Sequence, residues 1–190
     1  MVSVLVSGNA EQMSQVAGEL RSRGATVTEV DDLQLLPAAC SAAGPGAFDS
    51  YVQLPATFTV RGETAIRRVH HFFADGVLAR FPALAAALPA LAAPGRVTFV
   101  MGHLPPEVST PADREARQAL VRVLGHAARA DVGAGVGLAV RVLESSATPQ
   151  QIALVALGKD PAREELMERL ADMTYEEWRI ELMGLVSVET

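Results

Sequence analysis

Segments with the apolar spacing of a strand alternate along the chain with segments that have the apolar spacing of a helix, which predicts alternating strands and helices. Short runs that are continuously apolar, or apolar at every second residue, are typical of strands, and apolar residues three and four apart are typical of helices. The predicted strands span residues 2–7, 25–30, 51–60, 96–101 and 136–143. The predicted helices span residues 10–23, 63–80, 82–93 and 110–131, and further helices begin near residues 148, 160 and 174. This alternation favours an α/β fold with a mainly parallel sheet covered on both faces.

Residues that begin and end helices agree with these boundaries. Gly24 follows the first helix, where a left-handed glycine is common, and Thr110 precedes a helix as an N-cap residue does. The segment 33–50 is rich in Ala, Pro and Gly and has no period of its own, so we expect a loop with at most one short turn. Pro94 and Gly95 predict a turn before the fourth strand.

The length and the share of apolar residues indicate one substantial core. The chain has 190 residues, of which 49% are hydrophobic, and a chain of this size can bury a single large core. We predict a Rossmann-like domain over residues 1–158. We expect residues 159–190 to form an acidic helical extension packed on the same domain.

Charge and cysteine content exclude several classes of partner and compartment. The formal net charge is −6 and no basic run is present, so no nucleic acid partner is expected. A single cysteine, Cys40, allows no internal disulfide. The longest apolar tract, 81–93, is broken by Pro82 and Pro89 and is too short to span a bilayer. We therefore expect a cytoplasmic protein with no membrane partner, and the single Lys159 beside many Arg, Ala and Gly residues suggests a GC-rich bacterium.

The first thirty residues have the pattern of a dinucleotide-binding βαβ unit. A strand runs into Ser7 and Gly8, a helix follows, and a second strand ends before Asp31. In such units the turn after the first strand holds the pyrophosphate and an acid after the second strand binds a ribose hydroxyl. Gly8, Asn9 and Asp31 are therefore the cofactor-binding candidates. The alternative for Asp31 is that it only ends a strand and begins a turn.

Several segments, in order, make residues 1–145 resemble the short-chain dehydrogenase/reductase (SDR) family. The segments are the Ser7-Gly8 turn, the acid after the second strand, the strand Tyr51-Val-Gln-Leu-Pro-Ala56, the strand Gly95-Arg-Val-Thr-Phe-Val-Met-Gly102, and the helix Arg117-Gln-Ala-Leu-Val-Arg-Val-Leu124. The resemblance implies a three-layer Rossmann-like sandwich and a reductase that uses NAD(P). It also implies a glycine-rich cofactor turn, a catalytic Ser and a Tyr-x-x-x-Lys dyad.

The chain departs from the family at the cofactor turn. The family has Thr-Gly-x-x-x-Gly-x-Gly, whereas Gln12 and Ser14 replace the later glycines here. Gln12 adds a side chain where the backbone must approach the pyrophosphate. Glu11 adds a negative charge near the helix N-terminus that would otherwise attract an anion.

The chain also departs at the catalytic positions. The family serine falls in a segment without a hydroxyl, around His103. The Tyr and Lys of the dyad fall on Asp113 and Arg117. A carboxylate does not donate a proton as a phenol does, and the guanidinium does not replace Lys in ribose binding and proton relay.

The helix and third strand that the family places between residues 32 and 51 have no room here. We therefore predict a shortened parallel sheet with a strand order of about 2-1-4-5-6 in the family's numbering. Extra helices follow at the C-terminal end.

Two residues are weak candidates for catalysis. His103 follows a central strand at its carboxyl end, where open α/β sheets bind ligands, and Tyr51 carries a phenol. His70 and His71 are adjacent on a helix and point about 100° apart, so they cannot share a metal. No metal site is expected.

These observations predict a non-catalytic SDR-like protein, a pseudoenzyme in an oxidoreductase family. It would act as a subunit or stabilising partner of an active reductase, or as a homodimeric binding module, through the helices 63–80 and 110–131. No cofactor is expected on this interpretation. The alternative is an atypical NAD(P)-dependent reductase of a carbonyl or acyl substrate, with His103 or Tyr51 as the proton donor.

Overall fold

The computed structural model describes residues 1–55, 61–103, 110–133 and 137–164. By the density of its internal contacts the chain divides into two compact units, Met1–Gly158 and Lys159–Thr190. The first unit contains the sheet and its helices. The predicted helix start at Thr174 lies outside the described residues, and so do residues 56–60 of the predicted third strand.

The sheet has five parallel strands in the order β2-β1-β3-β4-β5. The strands are β1 (Ser3–Ser7), β2 (Thr26–Val30), β3 (Phe48–Gln53), β4 (Leu91–Val100) and β5 (Ala139–Leu143). The predicted Rossmann-like α/β fold is confirmed. The predicted order 2-1-4-5-6 in the family's numbering becomes 2-1-3-4-5 when the strands are counted along this chain. The same order occurs in flavodoxin-like doubly wound sheets, so it does not by itself show that a strand of the family was lost.

Six α-helices connect these strands within the described ranges. They are α1 (Ala10–Ser22), α2 (Leu36–Ala43), α3 (Ala65–His71), α4 (Arg80–Ala87), α5 (Pro111–Val132) and α6 (Pro149–Ala156). A π-helical segment, Phe72–Leu78, joins α3 to α4, and a short 3₁₀ helix, Leu88–Ala90, leads into β4. The predicted start of α5 is confirmed because the Thr110 hydroxyl accepts the Asp113 N–H as an N-cap does.

Helices cover both faces of the sheet and form two cores. On one face, α1 and α6 pack against the even-numbered residues of β1, such as Val4 and Val6. On the other, α2, α4 and α5 pack against Leu5, Tyr51 and Phe99. Residues 97–101 are buried, as predicted for a strand enclosed on both sides.

The predicted loop over 33–50 is wrong, because this segment contains α2 and the start of β3. Residues 38–43 are mostly Ala, the strongest helix former, and Leu36 and Cys40 lie one turn apart on the buried side of the helix. β3 consequently begins at Phe48 and ends at Gln53, well before the predicted end at residue 60.

The predicted turn at Pro94 and Gly95 is also wrong, because both residues lie within β4. The pairing of β3 with β4 shifts between Phe48 and Ser50, which face Leu91 and Arg96. The extra residues of β4 are accommodated at this irregularity. Because proline has no N–H to donate to the ladder, it is confined within sheets to edges and to irregularities such as this one.

The buried side of α5 differs from the one that its apolar spacing predicts. That spacing puts one stripe on Ala116, Leu120, Val123, Leu124 and Ala127. The Val123 side chain is 56% exposed, however, while Val121, Leu124 and Ala128 are buried. Gly125 explains the difference, since a Cβ there would lie 2.8 Å from Cγ1 of Val140 on β5. The absent side chain lets this side of the helix approach the sheet most closely.

One helical run in the described residues, Ala65–Ala90, has 26 residues and is long and apolar enough to cross a membrane by composition. The apolar pattern does not predict one continuous run here, because Pro82 and Pro89 interrupt it. Pro82 lies in the first turn of α4, where backbone N–H groups have few helical acceptors. The core helix of a soluble protein passes the same test, and Leu84 and Ala87 pack on the sheet.

Candidate functional site

The turn between β1 and α1 packs closely against the end of β3. Gly8 has φ +127°, and a Cβ at this position would lie 2.7 Å from the Leu54 carbonyl oxygen. The Gly8 N–H donates to the Val30 carbonyl at 3.4 Å, and the Asn9 N–H donates to the Pro55 carbonyl at 2.9 Å. Both the conformation and the available space require glycine at residue 8.

The N-terminus of α1 is capped by its own preceding residue. Asn9 Oδ1 accepts the Gln12 N–H at 3.1 Å, and Glu11 lies in the first turn. In a glycine-rich cofactor turn such amides face a phosphate. Here the N–H groups of Gly8, Asn9 and Gln12 already have acceptors within the protein.

The structure brings the three cofactor-binding candidates to one edge of the sheet. Asp31 directly follows Val30, whose carbonyl accepts the Gly8 N–H. Asp31 is exposed. Gly8, Asn9 and Asp31 therefore have the relative placement that the βαβ pattern predicts, and their role in binding stays a prediction.

Tyr51 lies inside the protein, at the centre of a small polar cluster. It is fully buried, its hydroxyl is 2.8 Å from the Ser7 hydroxyl, and Gln53 Nε2 donates to it at 3.2 Å. Burial raises the pKa of Tyr51 to about 12, although the hydrogen bonds to Ser7 and Gln53 act in the opposite direction. The phenol is therefore neutral and enclosed at neutral pH.

Arg80 extends this cluster from the start of α4 to the end of β4. Its Nη2 donates to the Val100 carbonyl at 2.7 Å, and its own carbonyl accepts from Gln53 Nε2 at 3.4 Å. The pKa of Arg80 is lowered to about 10, mainly by burial; Tyr51 acts to raise it, and the positive charge of Arg117 acts to lower it. Nη1 of Arg80 is buried without an acceptor among the described residues.

Arg117 and Asp113, at the positions that resemble the catalytic dyad, both make structural hydrogen bonds. Arg117 is 4% exposed, and its Nη1 donates to the Gly102 carbonyl just beyond β4. Burial lowers its pKa, and the charge of Glu144 partly offsets this effect. The Asp113 carboxylate accepts the Thr110 N–H at 3.0 Å and the Thr110 hydroxyl at 2.6 Å, which completes the capping box of α5.

The histidines do not converge on one place. His103 is exposed and directly follows Gly102 at the carboxyl end of β4. His70 is exposed on α3, and His71 Nε2 is 2.9 Å from Asp75 Oδ2 one turn later. Across the described parts of the chain, no three His, Cys, Asp or Glu side chains are placed to hold a metal ion.

The sequence did not lead us to Gln53 or Arg80 as site residues. Arg117 entered only as the residue at the lysine position of the dyad. A signal for the two arginines was present. Arg80 is three and seven residues from Val77 and Ala87, and Arg117 is four and seven residues from Val121 and Leu124. An arginine within the apolar stripe of a helix indicates a buried cation.

Comparisons with known proteins give a fold and no family membership. No family model matches the chain, and no curated protein matches it. A short-chain dehydrogenase/reductase variant from Serratia marcescens aligns with a TM-score of 0.61 at 18% identity, covering 85% of this chain and 90% of that one. A putative short-chain alcohol dehydrogenase from Burkholderia multivorans aligns with a TM-score of 0.59 at 11% identity, covering 84% and 92%.

A third similar structure contains a cofactor. BdcA in complex with NADPH aligns with a TM-score of 0.53 at 16% identity, covering 85% of this chain and 88% of that one. The fold is SDR-like. At these identities the similarity shows that the SDR-like chain shares the general architecture of such oxidoreductases, and the activity of the chain is a separate question.

Proposed function

We propose that this SDR-like chain is a non-catalytic protein that works as a binding subunit. The observation that carries the proposal is the use of Asp113 and Arg117, which the sequence resemblance aligns with the family dyad. Asp113 caps α5, and Arg117 is buried against the Gly102 carbonyl. Neither side chain is then available to move a proton to or from a substrate.

The cofactor turn supports the same proposal. Three of its backbone N–H groups donate to acceptors within the protein, and Glu11 places a negative charge at the end of α1. A pyrophosphate bound there would have to displace these hydrogen bonds and lie close to a like charge.

The subunit role rests on the outer surface of α5, and we commit to a second copy of the chain as the partner. Ala116, Ala119, Val123 and Ala127 are exposed and lie on one side of the helix. Small side chains let two helices approach closely, and a two-fold contact needs only one self-complementary surface. The exposed Ile66, 83% accessible on α3, is a further apolar residue in the proposed contact.

Light scattering on the purified full chain tests this assembly. We expect a mass of twice the 20.0 kDa monomer. Ala119→Glu should yield the monomer, whereas Ala38→Glu, the same change at an exposed position of α2, should leave the dimer intact. A monomeric wild-type chain would contradict the homodimer, and a complex formed only on co-expression with an intact reductase would identify the heteromer instead.

A second candidate function is an atypical NAD(P)-dependent reductase of a carbonyl or acyl substrate. The similarity to the NADPH complex of BdcA and the shared edge of Gly8, Asn9 and Asp31 favour it. On this alternative the proton donor is His103, which is exposed, because the Tyr51 phenol is fully buried and does not reach a substrate. NADPH oxidation with a panel of aldehydes, ketones and acyl thioesters would support it if His103→Asn abolished the activity.

A further inference from the structure

Two arginine side chains converge on the carboxyl end of β4. Arg80 is 7% exposed and Arg117 is 4% exposed, and they come from different helices. Arg80 donates to the Val100 carbonyl and Arg117 donates to the Gly102 carbonyl. These acceptors are two residues apart, so their Cα atoms lie within about 7 Å of each other.

The two guanidinium groups have no carboxylate partner at this place among the described residues. Arg80 interacts electrostatically with Tyr51 and Arg117. The negative charge of Glu144 acts to raise the pKa of Arg117, and the Glu144 carboxylate accepts a hydrogen bond from Gln118. A buried cation is costly unless it is paired and hydrogen-bonded, and two cations close together add repulsion.

Each arginine also retains a buried N–H without an acceptor in the described part of the chain. The unpartnered atoms are Nη1 of Arg80 and Nε of Arg117. A buried donor that lacks a partner costs about 1–3 kcal/mol, and more when it is charged. Among the described residues, the two side chains therefore have no negatively charged hydrogen-bond partner, and each keeps one buried donor without an acceptor.

The position of the pair is one where ligands bind in this class of fold. Open α/β sheets bind ligands at the carboxyl ends of their strands. Gly102 is half-buried and His103 is exposed, so this end of β4 reaches the molecular surface.

We propose that Arg80 and Arg117 form a binding site for the oxyanion group of a small molecule, either a phosphate or a carboxylate. The planar guanidinium fork matches both groups, and an oxyanion supplies the missing charge and acceptors together. The pair lies at the same carboxyl edge of the sheet as the β1–α1 turn, because Pro55 accepts the Asn9 N–H at 2.9 Å and its Cβ would lie 3.1 Å from a Cβ at residue 102. This binding site goes beyond the proposed function, since it depends on neither the homodimer nor the absence of catalysis.

A purely structural role is the competing explanation. In that role the arginines only tie α4 and α5 to the end of β4, and no anion changes their environment. The two explanations differ in how the side chains respond to added anion.

The test is an NMR titration of the ¹⁵N-labelled full chain with inorganic phosphate, at neutral pH and at constant ionic strength adjusted with NaCl. The Nε–Hε signals of Arg80 and Arg117 are assigned by comparison with Arg80→Lys and Arg117→Lys. We expect both signals to shift along one saturable curve. A parallel titration with malonate distinguishes a carboxylate ligand from a phosphate ligand, and saturation by either one supports the site.

A matched pair of variants tests the assignment. Arg117→Gln should weaken the affinity for the effective anion at least about tenfold, because one charge-assisted hydrogen bond is lost. Arg114→Gln, an equal charge change at an exposed position of the same helix, should leave the affinity unchanged. If Arg117→Gln does not fold, the wild-type titration still decides.

The absence of a saturable shift at both arginines with phosphate and with malonate would overturn the proposal. Equal weakening by Arg114→Gln and Arg117→Gln would also overturn it, because the effect would then be one of net charge. The proposed function is judged by the mass of the assembly and by cofactor titration, so its failure would be seen separately.

Discussion

The hydroxyl groups of Ser7 and Tyr51 lie 2.8 Å apart in the core and join β1 to β3 at the centre of the sheet. In the register of these strands Leu5 faces Tyr51 and Ser7 faces Gln53, so the phenol reaches one step along the sheet to Ser7. Gln53 donates to the same phenol and to the Arg80 carbonyl. The cluster thereby connects β1, β3 and α4 through buried hydrogen bonds.

Removing the phenolic hydroxyl should destabilise the protein. Tyr51→Phe leaves the buried Ser7 hydroxyl without its partner, so the free energy of unfolding in urea should fall by about 1–3 kcal/mol. Ser7→Ala should cost less, because Gln53 still donates to the phenol. The double variant should lose less than the sum of the two, and strictly additive losses would contradict the coupling.

The buried phenol also makes a prediction for alkaline pH. The pKa of Tyr51 is raised from 10.0 to about 12. Between these values the unfolded chain loses the proton while the folded chain keeps it, so this contribution to stability is present below about pH 10 and is lost as the pH rises toward 12. Urea unfolding at about pH 9 and pH 11 should show a smaller loss for Tyr51→Phe than for the wild type.

Arg80 titrates in the same pH range. Its pKa is lowered to about 10, so its effect on stability there has the opposite sign. Because Tyr51 also raises the pKa of Arg80, the difference between the two proteins reports the phenol together with its effect on Arg80. An equal loss of stability in the two proteins would contradict the assignment to Tyr51.

Gly8 should be intolerant of a side chain. Gly8→Ala places a Cβ 2.7 Å from the Leu54 carbonyl oxygen at φ +127°, and a strained backbone of this kind costs about 1–3 kcal/mol. Gly18→Ala is the matched control on α1, where nothing lies within 4 Å of an added Cβ. It should stabilise the helix by about 0.5–1 kcal/mol, and an equal effect of the two changes in thermal unfolding would contradict the close packing of the turn.

Asp113 should contribute to stability by capping the N-terminus of α5, and it should have no role in catalysis. Asp113→Ala removes the acceptor of the Thr110 N–H and hydroxyl, and loss of a cap typically costs about 1 kcal/mol. Thr110→Ala should cost a similar amount, and the double variant should cost little more than either change, as measured by denaturant unfolding. A loss of enzymatic turnover without a loss of stability in Asp113→Ala would instead indicate a catalytic carboxylate.

The general architecture was readable from the sequence because the hydrophobic period of each strand and helix is a local property. The buried run 97–101 indicated a central strand, and the Thr110 cap fixed the start of α5. The segment around Cys40 was misread because its Ala-rich composition carries helix propensity without an amphipathic pattern.

The candidate site was less readable because burial of polar groups depends on tertiary contacts. The apolar spacing predicts Val123 in the core. The close approach of Gly125 to Val140 instead orients α5 so that Val123 is exposed. Arg80 and Arg117 become a pair only when two helices meet the end of β4. The placement of Gly8 beside Asp31, in contrast, followed from the βαβ pattern alone.

Calorimetric titration of the full chain with NADPH, repeated with NADH, tests the non-catalytic role most directly. The proposal predicts no saturable heat at millimolar cofactor, because the N–H groups of the β1–α1 turn already have acceptors and Glu11 repels the pyrophosphate. Saturable binding of either cofactor that is lost in Asp31→Ala and retained in Asp32→Ala would contradict it, and would favour the alternative of an NAD(P)-dependent reductase.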